Sequence, residues 1–432
     1  MGFGRSVRFL GLAAVIGVAG GAAAALFLEV LRLATDARGE RPWLLYLLPV
    51  AGAVIAWLYA GYGRSAAGGN NLILDQIHDP RDAGVPLRMF PLILASTVVT
   101  HLFGGSAGRE GTAVQMGGAI AGDLARRLRL DAAETRLALM CGISGGFSGV
   151  FGTPLAGTVF GMEMLAVGGM RYGALIPCLL SALAADETVR LLAVDHAHYA
   201  VTSAIPGLSA ETIAKVALVG VGCGLVSAAF SELTLLVEYG SRRLVANPVV
   251  RTALGGVLVV GITLALGTRA YNGLSLPLLQ ASFTGNVPAL AFLAKLVLTA
   301  VTLGIGFKGG EVTPLFVIGA TLGAVLSGPV GLAPDLLAAL GFVAVFAAAA
   351  NTPIACVLMG AELFGGGGIV YFGVATFVAY AISGHRGIYA AQRILEPKHA
   401  GGGRLTATTT LRELRGRGPR LSDRLGRTRR RV

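Results

Sequence analysis

The chain has 432 residues, of which 54% are hydrophobic and only 13% are charged, and its formal net charge is +12. Soluble domains carry about 25% charged residues, so this composition excludes an ordinary soluble protein and predicts an integral membrane protein. The residue alternation of a membrane β-barrel is missing from the sequence, so we expect an all-α architecture.

Apolar runs that are candidates to cross a bilayer follow one another along the chain. They are residues 7–31, 43–61, 87–103, 210–237, 248–267 and 287–303. The first run is longer than the core of a signal peptide, which favours an uncleaved helix. Three shorter stretches, 112–125, 153–167 and 353–364, begin at Gly-Thr or Thr-Pro, where threonine can cap a helix and proline suits its first turn. We predict that these three are half-helices.

Two pairs of matching segments show that the chain is a tandem repeat. Residues 104–112 (GGSAGREGT) match residues 306–314 (GFKGGEVTP), and residues 152–163 match residues 351–362. Glu110 and Glu311 are 201 residues apart, whereas both Thr-Pro segments are separated by 199, so one small insertion or deletion reconciles the halves. Duplicated halves with interrupted apolar segments are typical of transporters whose ion site lies between the repeats. We expect repeats over residues 1–200 and 201–397.

Most of the positive charge lies at the C-terminus. Residues 398–432 contain eleven basic and two acidic residues, a net charge of +9. We interpret this stretch as a basic, disordered cytoplasmic tail beside anionic membrane lipid, in preference to a nucleic-acid-binding segment. Arg5 and Arg8 at the other end predict that the N-terminus is cytoplasmic too.

Cysteine and histidine usage indicates neither a disulfide framework nor a metal centre. The four cysteines lie in apolar segments without close pairing and are interpreted as packing residues. His196 and His198, near Asp195, could bind a metal ion, but their position in the loop between the repeats favours solvent exposure. We expect no metal and no cofactor.

Helix N-termini are the expected anion-binding elements, because full positive charges are costly at the bilayer centre. A helix start presents unpaired N–H groups and a partial positive charge, and a preceding glycine permits close approach. Four such starts could converge, at residues 70–71, 110–112, 153–154 and 311–314. The alternative is that these glycine-rich turns serve helix packing alone. A nucleotide phosphate loop is excluded, since neither segment has the Gly-Lys-Ser/Thr ending.

Glu110 is the strongest candidate for a functional residue. A carboxylate at a helix start is stabilised by the same dipole that would bind a halide. It can occupy the anion's own position when ionised and leave it when protonated, which predicts a gate and a proton carrier in one side chain. The alternative is a structural helix cap.

Residues 108–112 (GREGT), the Gly-Gly-x-x-x-Pro segment at 309–314 and the duplicated Thr-Pro segments together resemble the CLC chloride channel and antiporter family. The resemblance covers about residues 7–395. It implies an all-α membrane fold of inverted repeats with broken half-helices, and a homodimer in which each subunit has its own pore and Glu110 is the gating glutamate. The motif positions implied to contact the anion are Gly108, Arg109, Gly111, Glu311, Val312, Thr313 and, near the last helix, Tyr389. The alternative for Tyr389 is a tyrosine of the membrane interface.

Two departures from the chloride-transporting pattern indicate a subgroup. Where those members have Gly-Ser-Gly-Ile-Pro, this chain has GNNLI at 69–73, so Asn70, or with a shift of one residue Asn71, replaces the anion-binding serine. Where they have Gly-x-Phe-x-Pro, this chain has GEVTP at 310–314. Both changes resemble the bacterial fluoride-exporting subgroup, and an amide donor suits a strongly hydrogen-bonding anion. Asparagine at a helix start could alternatively be a cap.

A third departure concerns the proton path. Met164 stands where chloride/proton antiporters of the family have an internal glutamate, and the resemblance implies that Glu311, beside Thr313, is the second acidic station. Glu163 and Glu362, at equivalent ends of half-helices, are expected to lie at the surface or to cap helices. Lys295 and Lys308 are expected either to offset buried acid or to snorkel.

The sequence therefore predicts a fluoride/proton antiporter of a bacterial cytoplasmic membrane that confers fluoride resistance, with fluoride, protons and lipid as its partners. A chloride channel or chloride/proton exchanger of the same family is the alternative. A membrane-embedded enzyme is set aside, because the spans carry no zinc-protease motif, nucleophile elbow or paired acidic metal motif.

Overall fold

The protein folds as two consecutive sets of eight α-helices. The computed structural model describes residues 3–81, 84–196, 199–399 and 408–416. The first set is α1 (Phe3–Glu40), α2 (Leu48–Gly61), α3 (Asn70–His78), α4 (Met89–Leu102), α5 (Glu110–Arg127), α6 (Ala132–Phe151), α7 (Pro154–Glu163) and α8 (Leu175–Leu191). The second set is α9 (Ala210–Leu244), α10 (Pro248–Ala265), α11 (Leu276–Ser282), α12 (Ala291–Ile305), α13 (Val312–Val330), α14 (Pro334–Ala350), α15 (Pro353–Phe364) and α16 (Ile369–Ile382).

Smaller elements complete the described chain. Four short 3-10 helices cover Pro42–Leu47, Arg64–Ala66, Tyr172–Ala174 and Gly366–Gly368. A two-residue strand after α7, β1 (Ala166–Val167), pairs in parallel with β2 (Arg393–Ile394), which follows α16. A last helix, α17 (Leu411–Gly416), lies near the C-terminus.

The two sets repeat the same packing. In the first set, the long helix α1 packs on α4, α6 and α8, and in the second, α9 packs on α12, α14 and α16. The second and seventh helices of each set pack on their own counterparts, α2 on α10 and α7 on α15. The duplication seen in the sequence is therefore a duplication of tertiary structure.

Within the described residues, five helical stretches, one of them a 3-10 helix continued by α2, are long and apolar enough to cross a membrane. They cover Arg8–Glu40, Pro42–Gly61, Ala210–Leu244, Pro248–Ala265 and Val312–Val330. The predicted runs 87–103 and 287–303 become α4 and α12, which have only 14 and 15 residues. Sequence reasoning did not single out α13, because polar residues flank its start and Pro329 lies inside it.

Glycines allow the helices that carry the acidic loops to pack closely on the helices that follow them. A β-carbon on Gly117 in α5 would collide with the carbonyl of Gly142 in α6. The same contact recurs between Gly319 in α13 and Gly341 in α14. These glycines therefore let the helix after each acidic loop pack closely on the next helix, as expected inside a membrane.

Part of the predicted tail is ordered. Residues 408–416, within the stretch 398–432 that the sequence predicts to be disordered, include α17 and pack against the chain that follows α16. Leu411 in α17 is fully buried. The sequence did not predict this burial, because Leu411 stands in an arginine-rich stretch. Residues 400–407 and 417–432 lie outside the described residues.

Candidate functional site

The two acidic loops meet at the centre of the molecule. The backbone N–H of Gly108 donates to the carbonyl of Gly310 at 2.6 Å, and the N–H of Gly310 donates to the carbonyl of Gly108 at 2.8 Å. This reciprocal pair is a β-bridge between the two repeats. Because the bridge is symmetric, it shows which residues of the two loops correspond.

The register of the bridge corrects the pairing of the two glutamates. Helix α5 begins at Glu110, two residues after Gly108, and α13 begins at Val312, two residues after Gly310. The structural counterpart of Glu110 is therefore Val312, and the counterpart of Glu311 is Arg109. The sequence match, which paired Glu110 with Glu311, was wrong by one residue.

The source of the error is the helix that follows each loop. Helix α6 has 20 residues and α14 has 17, so the second repeat is three residues shorter at this point. The offset between equivalent positions is consequently 202 residues at the glycine bridge and 199 at the Thr-Pro segments. The sequence offset of 201 between the glutamates falls between the two values and belongs to neither.

The Glu110 carboxylate binds the start of the opposite helix. Its Oε2 atom accepts hydrogen bonds from the backbone N–H of Thr313 at 2.9 Å and from the Thr313 hydroxyl at 2.5 Å. The N–H of Arg109 lies 3.3 Å from the same oxygen. Glu110 is only 1% exposed. The carboxylate thus occupies a buried cradle of donors at a helix N-terminus, where an inorganic anion would be stabilised in the same way.

The second oxygen of Glu110 is held only loosely. Its Oε1 atom lies 3.4 Å from Nε of Arg109 but has no hydrogen-bond partner among the described residues. A buried acceptor without a partner is costly, so this oxygen can readily accept a further hydrogen bond. The Arg109 side chain itself is 15% exposed and covers Glu110 from outside.

Asn70 and Glu311 meet on the other side of the glycine bridge. A β-carbon on Gly111 would lie 3.4 Å from the Asn70 side-chain nitrogen and 3.6 Å from Oε2 of Glu311, so both polar groups face this glycine. Asn70 is buried and its side-chain oxygen has no partner among the described residues. Gly69, immediately before α3, has φ of +55°, which turns the chain so that α3 starts at this point.

A polar cavity of about 160 Å³ opens beside these groups. Its lining includes Asn70, Gln115, Lys308, Glu311 and Tyr389. We call it the Tyr389 cavity. It brings the predicted residues of α3, of the second acidic loop and of the segment after α16 to one place.

The two asparagines have different partners. Asn71 also borders the Tyr389 cavity, but its side-chain oxygen accepts a hydrogen bond from the backbone N–H of Ala391 at 2.9 Å. That bond ties α3 to the segment that carries Tyr389. Asn70, with its unpaired amide oxygen, is the asparagine that faces the acidic loop.

The remaining predicted positions are buried around the bridge. Val312 is 1% exposed and Thr313 is 2% exposed. The Thr313 hydroxyl, besides its bond to Glu110, lies 3.3 Å from the backbone N–H of Arg109. Of the ten predicted site residues, those of the two loops therefore form one cluster, while Tyr389 and Asn71 belong to the cavity wall.

The two lysines differ in their surroundings. Lys308 borders the Tyr389 cavity with its ammonium 4.5 Å from the centre of the Tyr59 ring. Lys295 is fully buried and does not snorkel. Its ammonium donates to the carbonyls of Tyr271 and Gly273 and to the Ser275 hydroxyl, and so supports the loop before α11.

A second, much smaller pocket lies beside Glu110. Its volume is about 20 Å³, and Arg109, Glu110, His196 and Thr313 are among its lining residues. His196 is partly buried, with Nε2 at 3.2 Å from the carbonyl of Gly149, contrary to the expectation of an exposed loop. His198, the other predicted histidine, lies outside the described residues. Glu110 thus borders the small pocket, whereas Glu311 borders the Tyr389 cavity.

A column of aromatic rings, which the sequence did not predict, reaches from Tyr389 at the cavity to Phe316 at the small pocket. Tyr389 packs edge-on against Phe160, whose ring stacks on Phe147 at 4.3 Å between centroids. Phe346 lies 6.4 Å from Phe147 and 5.3 Å from Phe316, which borders the small pocket. Phe147 and Phe346 are 199 residues apart, so the repeat offset could have identified them as an equivalent pair.

The start of α7 is occupied by a side chain and does not face the anion cluster. The N–H groups of Leu155 and Ala156 donate to the two carboxylate oxygens of Glu362 at 2.9 and 2.8 Å. The prediction that residues 153–154 contribute to the anion site was therefore wrong. Thr153 makes no side-chain cap either, although its position predicted one.

Glu163 makes the equivalent contact in the other direction. It accepts hydrogen bonds from the N–H groups of Ile354 and Ala355, at the start of α15, at 3.1 and 2.8 Å. A glutamate in the last turn of each half-helix thus caps the beginning of the other, which makes the pair antiparallel. The expected capping role is confirmed, but Glu163 is only 6% exposed and is not a surface residue.

Comparison with known proteins places this geometry in a family. The family model described as voltage gated chloride channel matches residues 51–384. A chloride/fluoride channel protein of Pseudomonas syringae pv. tomato is 46% identical over 398 residues, which cover 91% of this chain and 88% of that protein. A putative chloride channel protein ClcB-like from Ralstonia nicotianae is 29% identical over 382 residues, covering 81% of this chain and 87% of that protein.

Solved structures agree with the sequence relatives. A crystal structure of a CLC-type fluoride/proton antiporter superimposes with a TM-score of 0.88 and 35% identity, covering 91% of this chain and all of the other. A slow cyanobacterial Cl⁻/H⁺ antiporter superimposes with a TM-score of 0.77 at 19% identity, covering 96% of this chain and 99% of the other. The second likeness concerns the fold alone.

Proposed function

The chain belongs to the voltage-gated chloride channel family, CLC, and we propose that it is a secondary active antiporter that exports fluoride in exchange for protons. The observation that carries this proposal is the position of the Glu110 carboxylate. It accepts hydrogen bonds from the N–H and hydroxyl of Thr313 at the start of α13 and borders the small pocket, while Glu311 of the other loop borders the Tyr389 cavity. The likeness to a CLC-type fluoride/proton antiporter at 35% identity supports the same assignment.

The exchange follows from competition for one set of donors. When Glu110 takes up a proton, its negative charge is lost and its hold on the N-terminus of α13 weakens. A fluoride ion arriving from the Tyr389 cavity then takes the Thr313 N–H and hydroxyl. Loss of the proton restores the carboxylate, which returns to the same donors and displaces the ion. The anion and the proton therefore occupy the site in turn.

Glu311 is the proposed second station for the proton. It borders the Tyr389 cavity, whereas Glu110 borders the small pocket. A proton delivered by Glu110 can pass toward the cavity by way of Glu311, in a chain that has Met164 at the internal position of chloride/proton antiporters. Lys308, at the same cavity, provides a positive charge close to the path of the departing anion.

Fluoride suits the donors of this site better than chloride does. It is small, strongly hydrated and a strong hydrogen-bond acceptor, so its dehydration must be offset by short, direct hydrogen bonds. The proposed donors are the Thr313 hydroxyl and N–H and the Asn70 amide, all buried around the glycine bridge. No substrate is chemically converted, and the proposed biological role is fluoride resistance.

The proposed setting is the cytoplasmic membrane of a bacterium, with lipid around the apolar helices and both chain ends in the cytoplasm. The Tyr389 cavity would then open toward the cytoplasm, since the segment that carries Tyr389 leads into the basic C-terminal stretch. The proton gradient, directed inward, would drive fluoride out.

A homodimer is the proposed assembly. Helices α7 and α15 have only 10 and 12 residues, too few to cross a bilayer. They nevertheless expose apolar side chains, Leu155 at 49% and Ile354 at 44%, next to Ile176 of α8 and Phe377 of α16. A second copy would cover these short helices, and each subunit would keep its own site.

A fluoride-selective electrode with purified protein in liposomes tests the choice of anion. Fluoride-loaded vesicles should release fluoride at least about tenfold faster than matched chloride-loaded vesicles release chloride, the discrimination expected from about 1.4 kcal/mol of site preference. Empty liposomes and the Glu110→Gln variant serve as controls. Chloride release as fast as fluoride release would reject the fluoride assignment and favour a chloride transporter of the same family.

A further inference from the structure

The segment that carries Tyr389 is not part of a helix, so something else must hold it in place. It follows α16 and is anchored to the first repeat through the bond from Ala391 to Asn71. The N–H of Ile388 donates to the carbonyl of Ala349 at the end of α14. Neither bond uses the carbonyl groups of Gly387, Ala390 and Gln392, which can therefore accept hydrogen bonds from other partners.

Residues 408–416 supply those partners. The N–H of Arg412 donates to the carbonyl of Ala390 at 2.9 Å, and the N–H of Leu411 donates to the carbonyl of Gln392 at 3.0 Å. The Arg415 guanidinium donates to the carbonyl of Gly387 at 2.6 Å. Hydrogen bonds from the tail thus reach the segment on both sides of Tyr389.

Apolar packing fixes the same contact. Leu411 is 0% exposed and forms a small core with Val167 of β1 and Ile394 of β2. The N–H of Ile394 also donates to the carbonyl of Thr409 at 2.8 Å. A fully buried leucine side chain stabilises the contact that buries it, so this attachment is more than an incidental surface contact.

Gln392 connects the attachment to the core of both repeats. Its side-chain nitrogen donates to the carbonyls of Met164 and Ala350, and its side-chain oxygen accepts from the Asn351 amide at 3.0 Å. Met164 follows α7 and Ala350 ends α14. A displacement of residues 408–416 would therefore move Tyr389 more than the helices, because the helices are held by their own packing.

We propose that residues 408–416 form a latch that positions Tyr389 in the wall of the anion cavity. The latch acts through two side chains, Leu411 by burial and Arg415 by its bond to Gly387. Both are positioning residues, since neither borders the cavity. The proposal rests on the proposed transport function, because Tyr389 matters to the latch only as part of the anion path.

Substitution of Arg415 tests the latch against a matched control. Arg415→Ala removes the bond to Gly387, whereas Arg412→Ala removes an equal charge from a 59% exposed side chain and leaves its backbone N–H in place. In liposomes, Arg415→Ala should slow fluoride release by about threefold to tenfold, the change that loss of one hydrogen bond produces in an equilibrium. Arg412→Ala should change it by less than about twofold, as for an exposed ion pair.

The decisive readout is the dependence of this effect on Tyr389. Fluoride release is measured for Arg415→Ala in the wild-type background and in the Tyr389→Phe background. If the latch acts through Tyr389, the loss seen in the wild type is largely absent in Tyr389→Phe. An equal fold-loss in both backgrounds, or no loss in either, overturns the proposal. Arg415→Lys, which can still donate to Gly387, should recover part of the rate.

Two further measurements separate failure of the latch from other failures. Size-exclusion profiles and thermal melting establish that each variant is folded, and Leu411→Ala provides a second, uncharged disruption of the same contact. If the wild type carries chloride in place of fluoride, the same comparisons are made with chloride release. The fluoride assignment would then be lost while the latch was still tested.

Discussion

The two acidic loops of this protein have matching backbone geometry, but their carboxylates lie in different surroundings. In the first repeat the acid is the first residue of its helix, and Glu110 reaches across to the start of α13. In the second repeat the acid precedes the helix by one residue, and Glu311 borders the Tyr389 cavity. A shift of one residue within a symmetric pair of loops is enough to place the two acids at different pockets.

The comparison teaches that symmetry of the fold does not imply symmetry of function. The counterpart of Glu110 is Val312, which has no charge to offer the start of α5. The counterpart of Glu311 is Arg109, whose guanidinium lies beside Glu110. The first repeat therefore supplies the carboxylate that competes with the anion, and the second repeat supplies the Thr313 donors for which the two compete.

The largest expected effect is the loss of proton coupling in Glu110→Gln. The glutamine fits the same space but cannot take up or release a proton. Proton uptake driven by fluoride release should fall by at least about a hundredfold, as is usual when a required proton-transfer group is removed. A pH-sensitive dye outside the liposomes measures it.

The matched change in the other loop is Glu311→Gln. It should leave fluoride binding intact and reduce the number of protons moved per fluoride, because Glu311 is a station on the path and not the group that competes with the anion. Equal behaviour of the two variants would remove the distinction between the loops.

Thr313→Val sharpens the comparison at the donors. Valine has nearly the shape of threonine but lacks the hydroxyl that Glu110 accepts at 2.5 Å, and the backbone N–H is retained. Hydrogen bonds to charged groups contribute about 1.5–3 kcal/mol, so apparent fluoride affinity should fall by about tenfold to a hundredfold.

The control for this change is Thr112→Val in α5. The Thr112 hydroxyl shares a hydrogen bond with the Thr97 hydroxyl at 2.8 Å and, within the part of the chain that the structure describes, makes no hydrogen bond to the Glu110 carboxylate. Its loss should lower stability slightly and leave fluoride affinity unchanged. Similar losses of fluoride affinity in Thr313→Val and Thr112→Val would mean that the Thr313 hydroxyl is not a specific contact of the ion.

Asn70→Ala and Asn71→Ala separate the two asparagines that the sequence left open. Asn70 faces the acidic loop, so its removal should weaken fluoride relative to chloride, by about twofold to tenfold for one hydrogen bond. Asn71 holds Ala391, so its removal should affect the transport rate through the Tyr389 segment without changing selectivity. Competition between the two anions during release measures selectivity, and the reverse pattern would assign the contact to Asn71.

The smallest expected effect on transport comes from the reciprocal caps. Glutamine keeps only one of the two acceptor oxygens, so Glu163→Gln should lower the free energy of unfolding by about 1–3 kcal/mol, the cost of an unsatisfied buried donor. Glu362→Gln should cost less, because Glu362 is partly exposed. Thermal melting in detergent ranks the two variants, and a larger loss for Glu362→Gln would contradict the assigned burial.

Much of this site could be predicted because its signals are local. The glycines around Glu110 and the start of α13 are defined within a few residues, and Glu110, Asn70 and Thr313 follow from motif positions. The half-helices at 153–167 and 353–364 were also predicted, apart from small differences in their ends.

The features that the sequence missed depend on distant parts of the chain. The capping of α7 by Glu362 joins residues more than 200 positions apart, and Thr153 offered a plausible local cap that is not formed. The register of the two glutamates depends on a three-residue difference between α6 and α14, which no motif reveals. Leu411 is buried only because β1 and β2 meet beneath it.

If fluoride and protons occupy the donors of Thr313 in turn, fluoride release must drive protons against a proton gradient. Liposomes loaded with fluoride are placed in fluoride-free buffer at equal pH inside and outside, with the membrane potential clamped at zero by valinomycin and potassium. The account predicts that fluoride release acidifies the vesicle interior against the developing pH gradient, and that Glu110→Gln abolishes this acidification. Rapid fluoride release by the wild type without proton uptake would contradict the account and identify a channel.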